Sequence, residues 1–144
     1  MRYCSRADIG SAMPERTLIQ LSSDDPAAIF PDEAVIEDAV RQAEELVDGY
    51  LRGRYSLPLN PVPTVLREAA VHLARHWLYQ RRPEGALPEA VKDSRKDTLK
   101  LLESIRDGVV TLGMPDGAAA PEPGEIRVRS RRQQFGDALW KGYP

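Results

Sequence analysis

The chain is poor in the residues that most chemistries need. It has one cysteine, Cys4, and two histidines in 144 residues. A lone cysteine cannot close an internal disulfide, so nothing ties the fold to an oxidising compartment, and synthesis in a cytoplasm is expected. No apolar run approaches the roughly eighteen residues of a membrane span. The opening Met1-Arg2-Tyr3-Cys4-Ser5-Arg6 lacks the apolar stretch of a signal peptide, so a soluble and unprocessed chain is expected. Neither sign of charge prevails. Twenty Lys and Arg against 22 Asp and Glu leave a net charge of -2, which gives the whole molecule no bulk attraction for nucleic acid.

What is present is enough for one compact domain, since 42% of the residues are hydrophobic. The charge is unevenly spread. From Pro121 onward Arg127, Arg129, Arg131, Arg132 and Lys141 face only Glu122, Glu125 and Asp137, so the tail is basic and the body before it acidic. Such a split predicts an arm that meets a negative neighbour, either phosphate or the acidic face of another copy of the protein.

Helical signals run through the first two thirds of the chain. Ser5 and Asp8 have capping-box spacing, which predicts a short helix from Arg6 that ends before Pro14. A second short element is expected over Glu15 to Leu21, followed by a turn at Ser22-Ser23-Asp24-Asp25-Pro26. Asp32 is the expected N-cap of a long helix whose apolar stripe is Ile36, Val40, Ala43, Val47, Tyr50 and Arg54, widened by Ala39, Leu46 and Leu51. Gly49 and Gly53 imply either close packing or an early end to that helix. The prolines at 58, 61 and 63 predict a rigid link between antiparallel helices.

The next helix, about Thr64 to Arg82, presents Leu66, Ala69, Ala70, Leu73, Ala74, Trp77 and Leu78 and is expected at the centre of the core. A last helix from about Pro88 to Arg106 offers Val91, Thr98, Leu101, Leu102 and Ile105 and stops at Asp107-Gly108. Val109 to Gly113 reads as one extended segment, and Met114 to Gly124 has linker composition. Ile126 to Arg129 alternates like an edge strand. Phe135, Trp140 and Tyr143 lack neighbours to bury them, which predicts anchoring on another surface. The expected fold is all-α: two short and three longer helices over residues 1–113, then a basic-aromatic arm over 114–144.

No catalytic constellation emerges. His72 and His76 are spaced as metal ligands on a helix, but residue 73 is leucine where a metalloprotease carries glutamate, and no third ligand is near. The expectation is one histidine edging the core and the other meeting solvent. Asp24-Asp25 belongs to turn chemistry, and Glu44, Glu45 and Asp48 read as a solvated or intersubunit charge face. Cys4 reads as a bystander. Tyr50, Tyr55, Trp77 and Leu78 read as core, with Tyr55 the one of these expected at a surface contact.

Several pieces in fixed order resemble the bacteriophage Mu gene-product-36 family. They are Leu18-Ile19-Gln20-Leu21, the helix ending Asp48-Gly49-Tyr50-Leu51, and the Arg54-Tyr55-x-Leu57-Pro58-Leu59 exit. Val62-Pro63 opens the next helix, with Ala74-Arg75 and Leu78-Tyr79 further along; Gly108 to Gly113 and the Phe135 to Tyr143 ending complete the pattern. His76-Trp77 departs from the smaller or tyrosine-containing pair expected there. The resemblance implies a non-enzymatic head-tail adaptor with no cofactor. Its partners would be the portal protein, tail or stopper proteins, and copies of itself in a ring of about twelve, with possible non-specific contact to packaged DNA and none to membrane.

The implied location is the virion's head-tail interface, reached from the host cytoplasm. Residues expected at partner contacts are Tyr55, Arg127, Arg129, Arg131, Arg132, Phe135, Leu139, Trp140 and Tyr143. The arginine cluster also suits a phosphate track with stacking aromatics, or an idle solvated tail. The competing reading is therefore a small helical DNA-binding accessory protein of packaging or regulation.

Overall fold

A computed structural model describes residues 2–82 and 85–114, and among these there are five helices and no strand. They are α1 (Arg6–Ala12), α2 (Glu15–Ser22), α3 (Glu33–Leu51), α4 (Thr64–Gln80) and α5 (Glu89–Arg106). The fold is all-α, in the expected arrangement of two short helices and three long ones. None of these helices is long and apolar enough to cross a membrane.

The helix starts follow from local chemistry. Ser5 and Asp8 form the reciprocal capping box, with the Ser5 backbone N–H donating to the Asp8 carboxylate at 2.7 Å. Asp32 accepts from the Ala34 and Val35 backbone N–H groups and so satisfies two donors that a helix start leaves free. Pro14, Pro63 and Pro88 precede the other three helices, where a missing N–H costs nothing.

α4 lies at the centre, packed on α3 and α5 and touched by α1 and α2. Its Leu66, Ala70, Ala74 and Leu78 are fully enclosed, and the small side chains among them let neighbouring helices approach closely. The core continues through Ile36, Val40, Val47 and Leu51 of α3 and Leu102 and Ile105 of α5. Each such side chain contributes roughly 1.5–3 kcal/mol by leaving water.

The bundle's direction is set at its ends. Arg81, just past α4, meets the end of α2 next to the start of α3, whereas Ile105 near the end of α5 meets Arg54 past the end of α3. α4 therefore runs antiparallel to α3, and α5 returns parallel to it.

Several expectations need correction. α3 ends at Leu51, so Arg54 lies beyond the helix instead of on its stripe. Of the two meanings of Gly49 and Gly53, close packing is excluded because a Cβ at either would meet nothing within 4 Å. Leu46, expected to widen the stripe, is 38% exposed. Val109 to Gly113 pairs with no strand among the described residues; the Val110 N–H instead returns to the Ser104 carbonyl at 3.1 Å. The sequence from 115 on lies outside the described residues, as do Pro83 and Glu84.

Candidate functional site

The end of the bundle where α3 finishes fastens both ends of the described chain. Glu44 and Asp48 stand one turn apart on α3 and border its apolar stripe. The segment before α1 lies against them. The Tyr3 backbone N–H donates to Glu44 Oε1 at 2.8 Å, and the Tyr3 hydroxyl donates to Asp48 Oδ1 at 2.5 Å. The Arg2 backbone N–H also donates to Glu44, and its guanidinium pairs with Asp48. Both carboxylate side chains are only 5% exposed, while Arg2 keeps 46% of its side chain in solvent.

These two acids are therefore not the solvated or intersubunit charge face that the helical pattern predicts. They are buried and internally paired, and only Glu45 of that trio is exposed. Stripping such a pair of its partner costs far more than the pair itself contributes, because the remaining charge stays buried. Burial, then the hydrogen bond to Asp48, raises the Tyr3 phenol above its ordinary range. Burial, then the Glu44 charge, pushes the Cys4 thiol up to about 12, so Cys4 is an inert core residue.

The other end of the chain is clamped beside this latch. After Leu51 the backbone turns, with the Arg54 and Tyr55 N–H groups both donating to the Leu51 carbonyl at 2.9 Å. Arg54 Nη1 then reaches the Ile105 carbonyl at 3.2 Å, at the end of α5. Gly108 sits there with φ +81°, and a Cβ on it would lie 2.3 Å from Arg54 Nη1. Only glycine satisfies both the left-handed backbone and the guanidinium's approach. Farther along, the Leu112 N–H donates to the Tyr55 hydroxyl at 3.1 Å, while Leu57, Leu112 and Met114 pack on the core. Arg2, Asp48, Arg52, Tyr55, Ser56 and Leu57 share one open hollow, so latch and clamp are neighbours.

The expected contact residues divide accordingly. Tyr55 is 3% exposed and faces the chain's own exit instead of the surface. Arg127, Arg129, Arg131, Arg132, Phe135, Leu139, Trp140 and Tyr143 lie outside the described residues. His72 and His76 are both half-buried, so neither simply meets solvent, and no group of three His, Cys, Asp or Glu side chains placed to hold a metal occurs among the described residues. Burial, followed by the Arg95 charge, holds the His76 imidazole below its ordinary range.

At the far end of α3 the fastening is of another kind. Arg81 Nη1 donates to the Leu21 and Ser22 carbonyls at 3.2 and 3.1 Å, and its Nη2 meets Asp24 at 2.6 Å. A cation on the last carbonyls of α2 compensates the negative end of that helix. Beyond it Ile29 and Phe30 are 74% and 73% exposed.

Sequence reasoning missed Arg2 and Tyr3. The available signal was a pair of acids one turn apart on the shoulder of an apolar stripe, together with a cation and a phenol in a segment short enough to cross it.

The family described as "Bacteriophage Mu, Gp36" matches residues 3–130. "Mu-like prophage FluMu protein gp36" of Haemophilus influenzae is 38% identical over 91 residues, which span 63% of this chain and 62% of that relative. "Gene product J" of Escherichia phage Mu is 32% identical over 129 residues, spanning 90% of this chain and 89% of its own length.

Proposed function

This chain belongs to the bacteriophage Mu Gp36 family, and from that membership we propose that it is a non-enzymatic structural protein of the virion. In this reading it is a head-tail adaptor, seated as a ring under the portal and joining the DNA-filled head to tail or stopper proteins. The observation that carries the reading is the clamp at Arg54 and Tyr55, which ties residues 105–112 to the helical body. Leu112, two residues before the last described one, is thereby tied to the helical body, and the family match continues past it to residue 130. A docking segment launched from a fixed point loses less freedom on binding than one on a loose linker.

The basic and aromatic residues of that segment suit acidic and apolar surface on an adjacent copy or on the portal. The chain would assemble from the host cytoplasm into the head-tail interface, where some contact with packaged DNA is compatible with its arginines. Neither catalysis nor a cofactor is assigned to it.

The test is light scattering on a sizing column over a range of concentrations, with and without the portal protein of the same virion. The full chain is compared with one truncated after Ala120. The expected result is a discrete assembly, alone or on the portal, that the truncated chain does not form. A full chain that stays monomeric and ignores the portal removes the adaptor reading. If it also retards duplex DNA with a steep salt dependence, it is instead a small helical DNA-binding accessory protein. The basic face of α5, with Lys92, Arg95, Lys96 and Lys100 around one hollow, is the observation on that side.

A further inference from the structure

Two charged faces of the bundle are left over once its internal pairings are assigned. On α3, Glu37, Asp38 and Glu45 are exposed and share a hollow with Arg2, Arg41 and Glu44. Asp38 engages Arg41 at 2.8 Å and the Glu45 charge also acts on Arg41, although neither Glu37 nor Glu45 makes a salt bridge among the described residues. At about 100° per residue the three acids fall in one sector of the helix, on the side of the latch.

On α5, Lys92, Arg95, Lys96 and Lys100 follow helical spacing and line a different hollow with His76 and Leu99. Lys92 is held by Glu89 at 3.0 Å, and Glu103 is the acid at the edge of this face. Arg95, Lys96 and Lys100 have no salt bridge among the described residues. Beside them Leu46 and Trp77 form a shallow apolar strip that Arg95 borders. An apolar strip rimmed by unpaired charge has the anatomy of a protein interface.

Among the described residues no salt bridge joins α3 to α5, and the two faces open into separate hollows. Neither face therefore neutralises the other within one molecule. We propose that the acidic face of α3 on one copy seats on the basic face of α5 on the next. Two-fold self-contact of either face would oppose like charges, whereas a head-to-tail contact pairs them. Repeated head-to-tail contacts of that kind close into a ring or run on as a filament. The inference rests on the ring reading above and names the surfaces that meet.

Charge exchange tests it, with the assembly midpoint read by light scattering, on the portal if assembly requires it. Glu37→Lys with Glu45→Lys, or Lys96→Glu with Lys100→Glu, should each weaken association on the order of tenfold or more. All four substitutions in one chain should restore it to within about threefold of the parent, as expected for a direct charge coupling. These positions are exposed, so circular dichroism and melting should stay close to the parent's.

If the paired variants assemble like the parent, or the fourfold variant stays as weak as either, the faces do not meet, while the parent's own assembly leaves the adaptor reading intact. Rescue of the α3 variant by Arg127→Glu with Arg129→Glu, and not by the α5 changes, would give that face to the basic tail instead. Loss of duplex DNA retention by the α5 variant with assembly unaffected would make the basic face a nucleic-acid surface. A parent chain that assembles under no condition overturns both readings together.

Discussion

The two ends of α3 are fastened by different physics. Where the helix finishes, buried carboxylates hold the chain's beginning and a guanidinium and a phenol hold its exit. Where the helix begins, two part-buried arginines, Arg81 and Arg82, cover the end of α2, their carboxylate partner Asp24 is exposed, and two large apolar side chains stand in solvent. The first end is expensive to disturb because its two carboxylates and the Tyr3 and Tyr55 hydroxyls are enclosed and have no water to fall back on. The second is tolerant, since its pairs are screened and its loop closes on local turn chemistry. Under the proposed adaptor reading, a fixed exit point calls for the first kind of fastening at that exit and for none at the other end.

Substitutions at the two ends should separate them by size of effect. Asp48→Ala leaves the buried Tyr3 hydroxyl without its acceptor and takes from the Arg2 guanidinium the nearer of its two carboxylates, and it should cost about 3 kcal/mol, seen as a lowered denaturation midpoint. Since Cys4 is 3% exposed, the same variant should also label faster with a thiol reagent at neutral pH. Parent-like melting and labelling would mean that the latch is decorative.

Gly108→Ala places a Cβ where the backbone is left-handed and Arg54 already stands, so a loss of about 2 kcal/mol is expected. Combining it with Arg54→Ala should recover the steric share and leave the backbone share. Tyr55→Phe removes only the acceptor of the Leu112 N–H and should cost about 1 kcal/mol. Hydrogen exchange at Leu112 should then speed up more than exchange in α4. At the opposite end, Ile29→Ser with Phe30→Ser should shift stability by no more than about 0.5 kcal/mol. A larger loss there would show that the loop is packed in solution and would erase the contrast.

Much of the helical frame was legible before any coordinates. The Ser5 and Asp8 pair and the Asp32 cap act within three residues, so their spacing in the sequence is their spacing in space. The apolar stripes of α3 and α4 placed Ile36, Val47, Leu66 and Leu78 in the core for the same reason. Leu46 shows the limit of that reasoning: periodicity says which side a residue is on, but a stripe's edge is decided by where the neighbouring helix lies. Glu44 and Asp48 failed in the opposite direction. Their own helix gives them a polar shoulder, and only the arrival of Arg2 and Tyr3, more than forty residues earlier in the chain, turns that shoulder into an interior.

The candidate site follows the same division. Arg54-Tyr55 and Gly108 to Gly113 stand out as separate pieces of a family pattern, and nothing in their sequence says that one holds the other. The sequence by itself determined the helices, their caps, the position of the proline link and the charge imbalance between body and tail, because each depends on residues within a turn or two, or on composition alone. Only the tertiary structure decided which acids are interior, where the chain leaves the bundle, and that the unpaired acids and bases lie on separate faces. Those depend on which distant segments share a surface, and that is set by how the stripes of three helices pack together.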